Sequence, residues 1–199
     1  MRFSTVSADK HLQPTASILL SISLLLTSPL SVMASTSIER VRVPGHWQQM
    51  AQNTWQPVSL SEGRFSVEMP GQPELETWTN EQGFVEYSLQ LEVAEPLSHY
   101  FIHYFDEPKL AGANEDELAE VLRITLEAFI EGAEAELLSQ QNIELNRYPG
   151  KAFEFHLGIP NTPRGKGQIF IVQERLYILV VLTPRFQDAE RFLRSFRLF

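Results

Sequence analysis

Histidines on predicted strands are the side chains in this sequence most suited to binding a metal ion. His103 lies in an aromatic strand, and Glu154 and His156 share one face of a later strand. Imidazole and carboxylate groups are ligands for Zn²⁺ or Mn²⁺. His103, Glu154 and His156 are therefore a candidate metal site, provided that their strands are neighbours. Such histidines more often make hydrogen bonds inside or at the rim of a core, so both interpretations stay open.

A second histidine, His99, lies four residues before His103 and would face the same side of the sheet. At a rise of about 3.3 Å per residue the two side chains are about 13 Å apart. Because that distance is too long for both to bind one ion directly, only one of them can complete a site with Glu154 and His156.

A strongly acidic segment is the second feature that could bind a partner. Between Glu115 and Glu136 the chain has eight acidic residues and one basic residue, Arg123. At helical spacing Glu127, Glu131 and Glu134 share one outer face, and like charges four residues apart repel each other. This face is a candidate surface for a basic protein partner or divalent cations. The alternative is a solvated helix face that keeps the protein soluble.

Basic residues collect at the other end of the sequence. Arg191 and Arg194 lie on a predicted C-terminal helix, and we predict that they too bind a partner with a complementary charge. Arg164 and Lys166 lie in a glycine-containing loop that lacks the phosphate-binding pattern and its strand-to-helix context. That loop is predicted to be a hairpin connection.

Composition excludes several classes of function. The chain has no cysteine, which rules out disulfides, thiol catalysis and thiolate metal sites. A formal net charge of −9 disfavours nucleic acid, which proteins bind by neutralising phosphates with Lys and Arg. No Gly-x-Ser-x-Gly or His-Glu-x-x-His motif occurs. We therefore predict a protein that is not an enzyme and needs no cofactor.

The first 34 residues have the pattern of a secretory signal peptide. Arg2 and Lys10 precede the apolar stretch Ile18–Leu26, and Val32–Ala34 offers small residues for cleavage. The stretch is too short for a typical spanning helix, although an uncleaved N-terminal anchor is the alternative. We predict export, an irregular lead-in over 35–56, and a single domain over 57–199 without a further membrane span. The expected state is a monomer.

Strand patterns dominate the predicted domain. Phe84–Val93 alternates most clearly, with Glu86 and Ser88 on a face predicted to be solvated. Asn80–Gly83 before it is predicted to be a hairpin loop. Three other strands are apolar on both faces, which is typical of the middle of a covered sheet. The predicted strands are Arg64–Met69, Leu75–Thr79, Phe84–Val93, Tyr100–Phe105, Phe153–Leu157, Gln168–Val172 and Leu176–Leu182.

Two helices are predicted to cover this sheet. The longer begins after Asn114, with Glu117 as its capping-box partner, and its apolar stripe continues to Leu137. The shorter follows Thr183-Pro184, and its predicted apolar face runs from Phe186 to Phe196. The order of hairpins and helices predicts an α+β fold, a mainly antiparallel sheet flanked by helices in an α/β/α sandwich.

The sequence resembles the PsbP-like group, which comprises an extrinsic subunit of the photosynthetic oxygen-evolving complex and exported bacterial relatives. The resemblance rests on turns and strand cores over Trp55–Phe199: Phe65–Pro73, Tyr148-Pro149-Gly150, Leu176–Val181 and Phe192–Phe196. It implies an antiparallel sheet between helices, a role in binding or assembly, and a location in the periplasm or the thylakoid lumen.

Together these observations predict an exported, non-catalytic binding or assembly module. Its expected partner is a protein of a membrane (photosynthetic) complex, bound through the acidic helix or the basic C-terminal edge. The alternative is a protein of the periplasm or lumen that binds a small ligand or a divalent metal through the histidine region.

Overall fold

The computed structural model describes residues 54–80, 83–160 and 162–199, so the predicted signal peptide and most of the lead-in lie outside them. The elements are β1 (Gln56–Leu60), β2 (Phe65–Met69), β3 (Glu74–Thr79), β4 (Val85–Ala94), β5 (Leu97–Asp106), a 3₁₀ helix (Pro108–Leu110), α1 (Glu115–Gly132), β6 (Glu136–Leu145), β7 (Tyr148–His156), β8 (Gly165–Val172), β9 (Arg175–Leu182), α2 (Phe186–Ser195) and β10 (Arg197–Leu198).

A seven-stranded sheet forms the centre of the fold, in the order β3-β4-β5-β9-β8-β7-β6. Every neighbouring pair in it is antiparallel. A smaller antiparallel sheet, β1-β2-β10, packs with α2 on one face, and α1 packs on the other. The predicted α+β class and the cover on both faces are confirmed. The sequence did not indicate that a second sheet would share one face with α2.

The long helix is confirmed at its beginning and corrected at its end. Asn114 caps α1 and forms a full capping box with Glu117, as predicted. The helix ends at Gly132, because Glu134 takes a left-handed conformation with φ 48° and the chain turns into β6. The helical stripe extended to Leu137 was therefore wrong. β6 is an edge strand that is mostly exposed on both faces, so it has no alternation to reveal it.

Two other predicted exposures are also wrong. Glu86 and Ser88 lie on the predicted solvated face of β4 but are 0% and 1% exposed. Side chains of the two neighbouring strands flank them on this face: Trp78 of β3 lies opposite Glu86, His103 of β5 lies opposite Ser88, and the two rings pack against each other. Phe186 was assigned to the apolar face of the short helix but is 64% exposed, with its ring 4.1 Å from the Lys166 Nζ.

Aromatic rings meet glycines at the centre of the face that α1 covers. The rings of Phe153 and Phe155 lie over Gly167 and Gly165, where an added Cβ would come within 2.2 Å of each ring. Phe129 of α1 packs on both rings, with centroids 5.2 and 5.1 Å away. Three packed rings therefore hold α1 on the sheet, and the two on β7 fit only because the residues beneath them are glycines.

Two buried tyrosines on the opposite face give a matched test of hydrogen bonding. The Tyr177 hydroxyl donates to the Gly63 carbonyl at 2.7 Å, whereas the buried Tyr104 hydroxyl has no hydrogen-bond partner among the described residues. Burial raises the pKa of Tyr104 to about 12. We expect Tyr177→Phe to lower the free energy of unfolding by about 1–3 kcal/mol and Tyr104→Phe to leave it unchanged or raise it. Urea denaturation of both variants checks this, and equal losses would contradict it.

Candidate functional site

The predicted metal-binding residues do not come together. His103 lies on β5 and points to the α1 side of the sheet, like its neighbours Phe101 and Phe105. Glu154 and His156 lie on β7 and point to the α2 side. Two strands, β9 and β8, also separate them, which is about 14 Å at the usual strand spacing. The three residues therefore cannot share one ion, and this prediction is wrong.

His103 and Glu154 each have a partner of another kind. His103 Nε2 lies 3.1 Å from a Glu86 carboxylate oxygen, and both side chains are almost fully buried. Glu154 pairs with Lys166 at 3.1 Å. Among the described residues, no group of three His, Asp or Glu side chains is placed to hold a metal ion. The histidine of β5 is thus part of a buried polar pair in the core.

Glu86 is a residue whose importance the sequence analysis missed. Its Oε1 accepts a hydrogen bond of 2.8 Å from the Asn80 side chain, and Oε2 faces His103. Asn80 also bonds the Phe84 backbone N–H through its own Oδ1, so the pair is tied to the β3–β4 turn. The alternation of β4 led to the prediction that Glu86 is solvated. Only the buried histidine on the neighbouring strand could have indicated otherwise.

The acidic face of α1 is present as predicted, except at its last member. Asp116, Glu120, Glu127 and Glu131 are exposed along one row of the helix. Arg123 bridges Glu120 and Glu127, and its guanidinium holds the pKa of Glu120 below its ordinary value. Within the described ranges, no Lys or Arg lies within ion-pair distance of Asp116 or Glu131. The face is therefore acidic and only partly neutralised.

Glu134 does not belong to the helix, because it follows the cap residue Ala133. It is still exposed, and its backbone N–H bonds the Glu131 carbonyl. Glu127, Glu131 and Glu134 thus surround the C-terminal end of α1, where the helix has no basic residue in its last turn. We call these three residues the acidic end of α1.

The basic residues of α2 are already paired within the domain. Arg191 bonds Glu68 of β2 at 2.6 Å and lies over the Trp55 ring at 4.6 Å. Arg194 pairs with Glu190 at 3.0 Å, and Glu190 also meets Lys166. These contacts tie α2 to the small sheet and to β8. They leave the basic edge less available for a partner than the acidic end of α1.

An apolar cleft of about 300 Å³ opens at the end of the sheet where the β4–β5 and β7–β8 connections meet. Leu97 and Ile159 stand at its mouth and are 56% and 50% exposed. His99 and Glu92 form its polar side, with Nδ1 and a carboxylate oxygen 3.8 Å apart. This cleft could not be located from the sequence, because its walls come from segments far apart in the chain.

None of the helices within residues 54–80, 83–160 and 162–199 combines the length and the apolar character needed to cross a bilayer. This finding concerns only that part of the chain, and the predicted leader lies outside it.

The architecture is that of a PsbP-like domain, a mainly antiparallel sheet between helices. The solution structure of cyanobacterial PsbP (CyanoP) from Synechocystis sp. PCC 6803 matches it with a TM-score of 0.51 at 11% sequence identity. The match covers 82% of this chain and 98% of that protein. The predicted resemblance is therefore confirmed at the level of fold.

A second solved structure, a putative regulator of unknown function from Pseudomonas aeruginosa, matches with a TM-score of 0.35 at 12% identity. That match covers 67% of this chain and 85% of the other, and a TM-score this low does not establish a shared fold. No protein-family model matches the sequence. No curated protein is significantly similar to it.

Proposed function

We propose that this protein is an exported, non-catalytic docking module that binds a basic surface of a membrane protein complex through the acidic end of α1. The observation that carries the proposal is the unfavourable electrostatics of that helix end. Glu127 and Glu131 lie in the last turns of α1, with no basic residue in the last turn to offset them. A binding surface explains why these charges are placed there.

Two effects make this arrangement costly for the isolated protein. The C-terminal end of a helix carries partial negative charge, so carboxylates there are repelled and cations are favoured. Glu127 and Glu131 are also four residues apart and repel each other. Arg123 pairs with Glu120 and Glu127, so within the acidic end of α1 it relieves Glu127 alone. A basic partner would relieve the remaining repulsion at Glu131 and Glu134.

The PsbP-like fold supports a docking role in a general way. The group it resembles includes an extrinsic subunit of the oxygen-evolving complex, so a photosynthetic membrane complex is the first partner to test. Export through the predicted signal peptide is part of the same proposal, because it would bring the domain to the periplasm or the thylakoid lumen. The pairing of Arg191 and Arg194 inside the domain favours the acidic end of α1 over the basic edge.

Charge reversal at the acidic end tests the proposal. The full chain, tagged at its C-terminus, is used to capture complexes from detergent-solubilised membranes of the source organism. We expect a triple variant, Glu127→Lys, Glu131→Lys and Glu134→Lys, to retain less than a tenth of the captured complex. Its free energy of unfolding should change by less than about 1 kcal/mol, because the gain from lysines at the C-terminal end of a helix is offset by loss of the exposed Arg123–Glu127 ion pair. Mass spectrometry and urea denaturation measure the two effects.

The control variant makes the same change in charge elsewhere on the surface. Glu74→Lys, Glu76→Lys and Glu174→Lys alter exposed carboxylates outside α1. We expect this variant to capture the complex as well as the original protein does. If both variants lose capture equally, only net charge matters. If neither loses it, the acidic end of α1 is not the docking surface, and the proposal is wrong.

A further inference from the structure

The apolar cleft at the end of the sheet has a floor built from two rows of paired residues. Phe101 of β5 lies opposite Val180 of β9, and His99 lies opposite Leu182 in the next row. Gly167 and Gly165 continue these rows on β8, where the rings of Phe153 and Phe155 cover them and close that side of the cleft. Phe101 and Val180 are buried, while His99 is half-buried. The floor is thus apolar, with one imidazole at its outer end.

The walls come from the two connections that meet above this floor. Leu157, Ile159 and Pro163 of the β7–β8 connection line one side, and Leu97 of the β4–β5 hairpin lines the other. The contacts of α1 with the sheet are concentrated on β7 and β8, beside the cleft rather than over it. This part of the core face therefore remains open, whereas most large apolar side chains of the central strands β5, β8 and β9 are buried on both faces of the sheet.

The polar groups of the cleft limit the chemistry of a ligand. Glu92 lies opposite His99 in the strand pair, and its carboxylate stands at the rim 3.8 Å from the imidazole. A carboxylate on the ligand would be repelled by the carboxylate of Glu92. The hydroxyl of Thr162, a further lining residue, donates to the Ile159 carbonyl and can still accept a hydrogen bond from a ligand. The site therefore suits an uncharged molecule that makes one or two hydrogen bonds.

The size of the cleft limits the ligand as well. Small-molecule sites usually enclose about 300–1,000 Å³ and are mostly apolar with a few polar groups. At about 300 Å³ the cleft is at the lower end of that range. An amphipathic helix or a strand from another protein would not fit inside it. A short aliphatic chain with a single polar end would.

We propose that this cleft binds a small uncharged amphiphile, with its aliphatic body over Phe101 and Val180 and its hydroxyl group beside His99. The residues concerned are separate from the acidic end of α1. The inference is therefore independent of the proposed docking function, and either can fail without the other.

Titration of the full chain with aliphatic alcohols tests the proposal, followed by NMR of the side-chain methyl groups. We expect saturable shifts at Leu97, Ile159 and Val180. Affinity should increase about fourfold for each methylene from 1-butanol to 1-octanol, the gain expected for one buried methylene. Octanoate, which has the same chain and a negative charge, should bind at least tenfold more weakly than 1-octanol because of Glu92.

Two exposed leucines provide a matched pair of variants. Leu97→Asp places a charge at the mouth of the cleft and should weaken 1-octanol binding about tenfold. Leu75→Asp makes the same change on the edge strand β3, where the residue is 46% exposed, and should have no effect. Neither change removes a buried side chain, so both variants should fold.

A second variant examines the polar end. His99→Phe keeps an aromatic ring but removes both nitrogens, so it should weaken 1-octanol binding severalfold through loss of one hydrogen bond. Absence of saturable shifts up to the solubility limit of 1-octanol would overturn the proposal, and the cleft would then be open to a side chain of a protein partner. Equal loss of binding in the Leu75 and Leu97 variants would also overturn it, because the binding would not be located in the cleft.

Discussion

His103→Leu is expected to lower the free energy of unfolding by about 3–5 kcal/mol. His103 and Glu86 form a pair that is almost completely buried, with Nε2 and Oε2 3.1 Å apart. Removing one member of a buried polar pair leaves the other desolvated with fewer partners, which is far more costly than losing an exposed ion pair. Leucine fits the apolar surroundings of Phe101 and Phe105, so the loss reports mainly on Glu86, which loses its contact with the imidazole but keeps the hydrogen bond from Asn80.

The double variant His103→Leu with Glu86→Leu separates the cost of leaving a buried polar group without its partner from the effect of the change in packing. Replacing both members of a buried pair by apolar residues is often close to neutral. We therefore expect the double variant to be more stable than His103→Leu alone by at least about 1 kcal/mol, even though Asn80 loses an acceptor. Urea denaturation of the two single variants and the double variant gives the coupling free energy. A double variant that is less stable than both single variants would show that the pair is not the source of the cost.

The pair also explains why this part of the sequence was misinterpreted. Alternation along β4 correctly predicted a strand, because its period of two is a local property. The same alternation could not predict which face is wet, since that depends on the strands and loops that lie beside it. Glu86 and His103 are 17 positions apart in the chain and meet only through the β4–β5 register. Their burial is a tertiary property.

In the helices, too, the local feature was predicted and the feature that depends on the rest of the fold was missed. Asn114 and Glu117 fixed the beginning of α1, because a capping box is made by side chains three residues apart. The end of the helix was missed, since Ala133 and Leu137 continue the apolar spacing into a turn and then into β6. For the candidate site the consequence is limited. Glu127 and Glu131 remain on the helix, and Glu134 lies beside its end.

The predicted metal site failed for a topological reason. The sequence showed that His103, Glu154 and His156 lie on strands, but not that β9 and β8 separate those strands. Side chains alternate along each strand, and in the structure His103 faces one side of the sheet while Glu154 and His156 face the other. The sequence shows this only once it is known which face of each strand lies against which helix. The acidic face of α1 was predictable because its members other than Glu134 lie on one helix. The apolar cleft was not predictable, since two connections in different parts of the chain form its walls.

Replacing Phe129 tests the packing that holds α1, and with it the acidic end, against the sheet. We expect Phe129→Ala to lower the free energy of unfolding by about 3–5 kcal/mol, the usual range for removing a buried phenylalanine. The ring is almost fully buried and packs on Phe153 and Phe155, which lie over glycines and have no side chain beneath them. These rings cannot fill the cavity without leaving the floor that Gly165 and Gly167 provide.

Phe199→Ala is the matched control, because Phe199 is 66% exposed and its removal should change stability by less than about 0.5 kcal/mol. Both variants are compared by urea denaturation, and under native conditions by hydrogen exchange of the α1 amides. In the Phe129 variant we expect faster exchange in α1 than in β5 and β9, because the helix loses its main contact while the sheet keeps its own. Capture of the partner complex should then weaken as well, even though every carboxylate is still present. A loss below about 1 kcal/mol, with unchanged exchange, would mean that the acidic end is positioned by contacts other than these three rings.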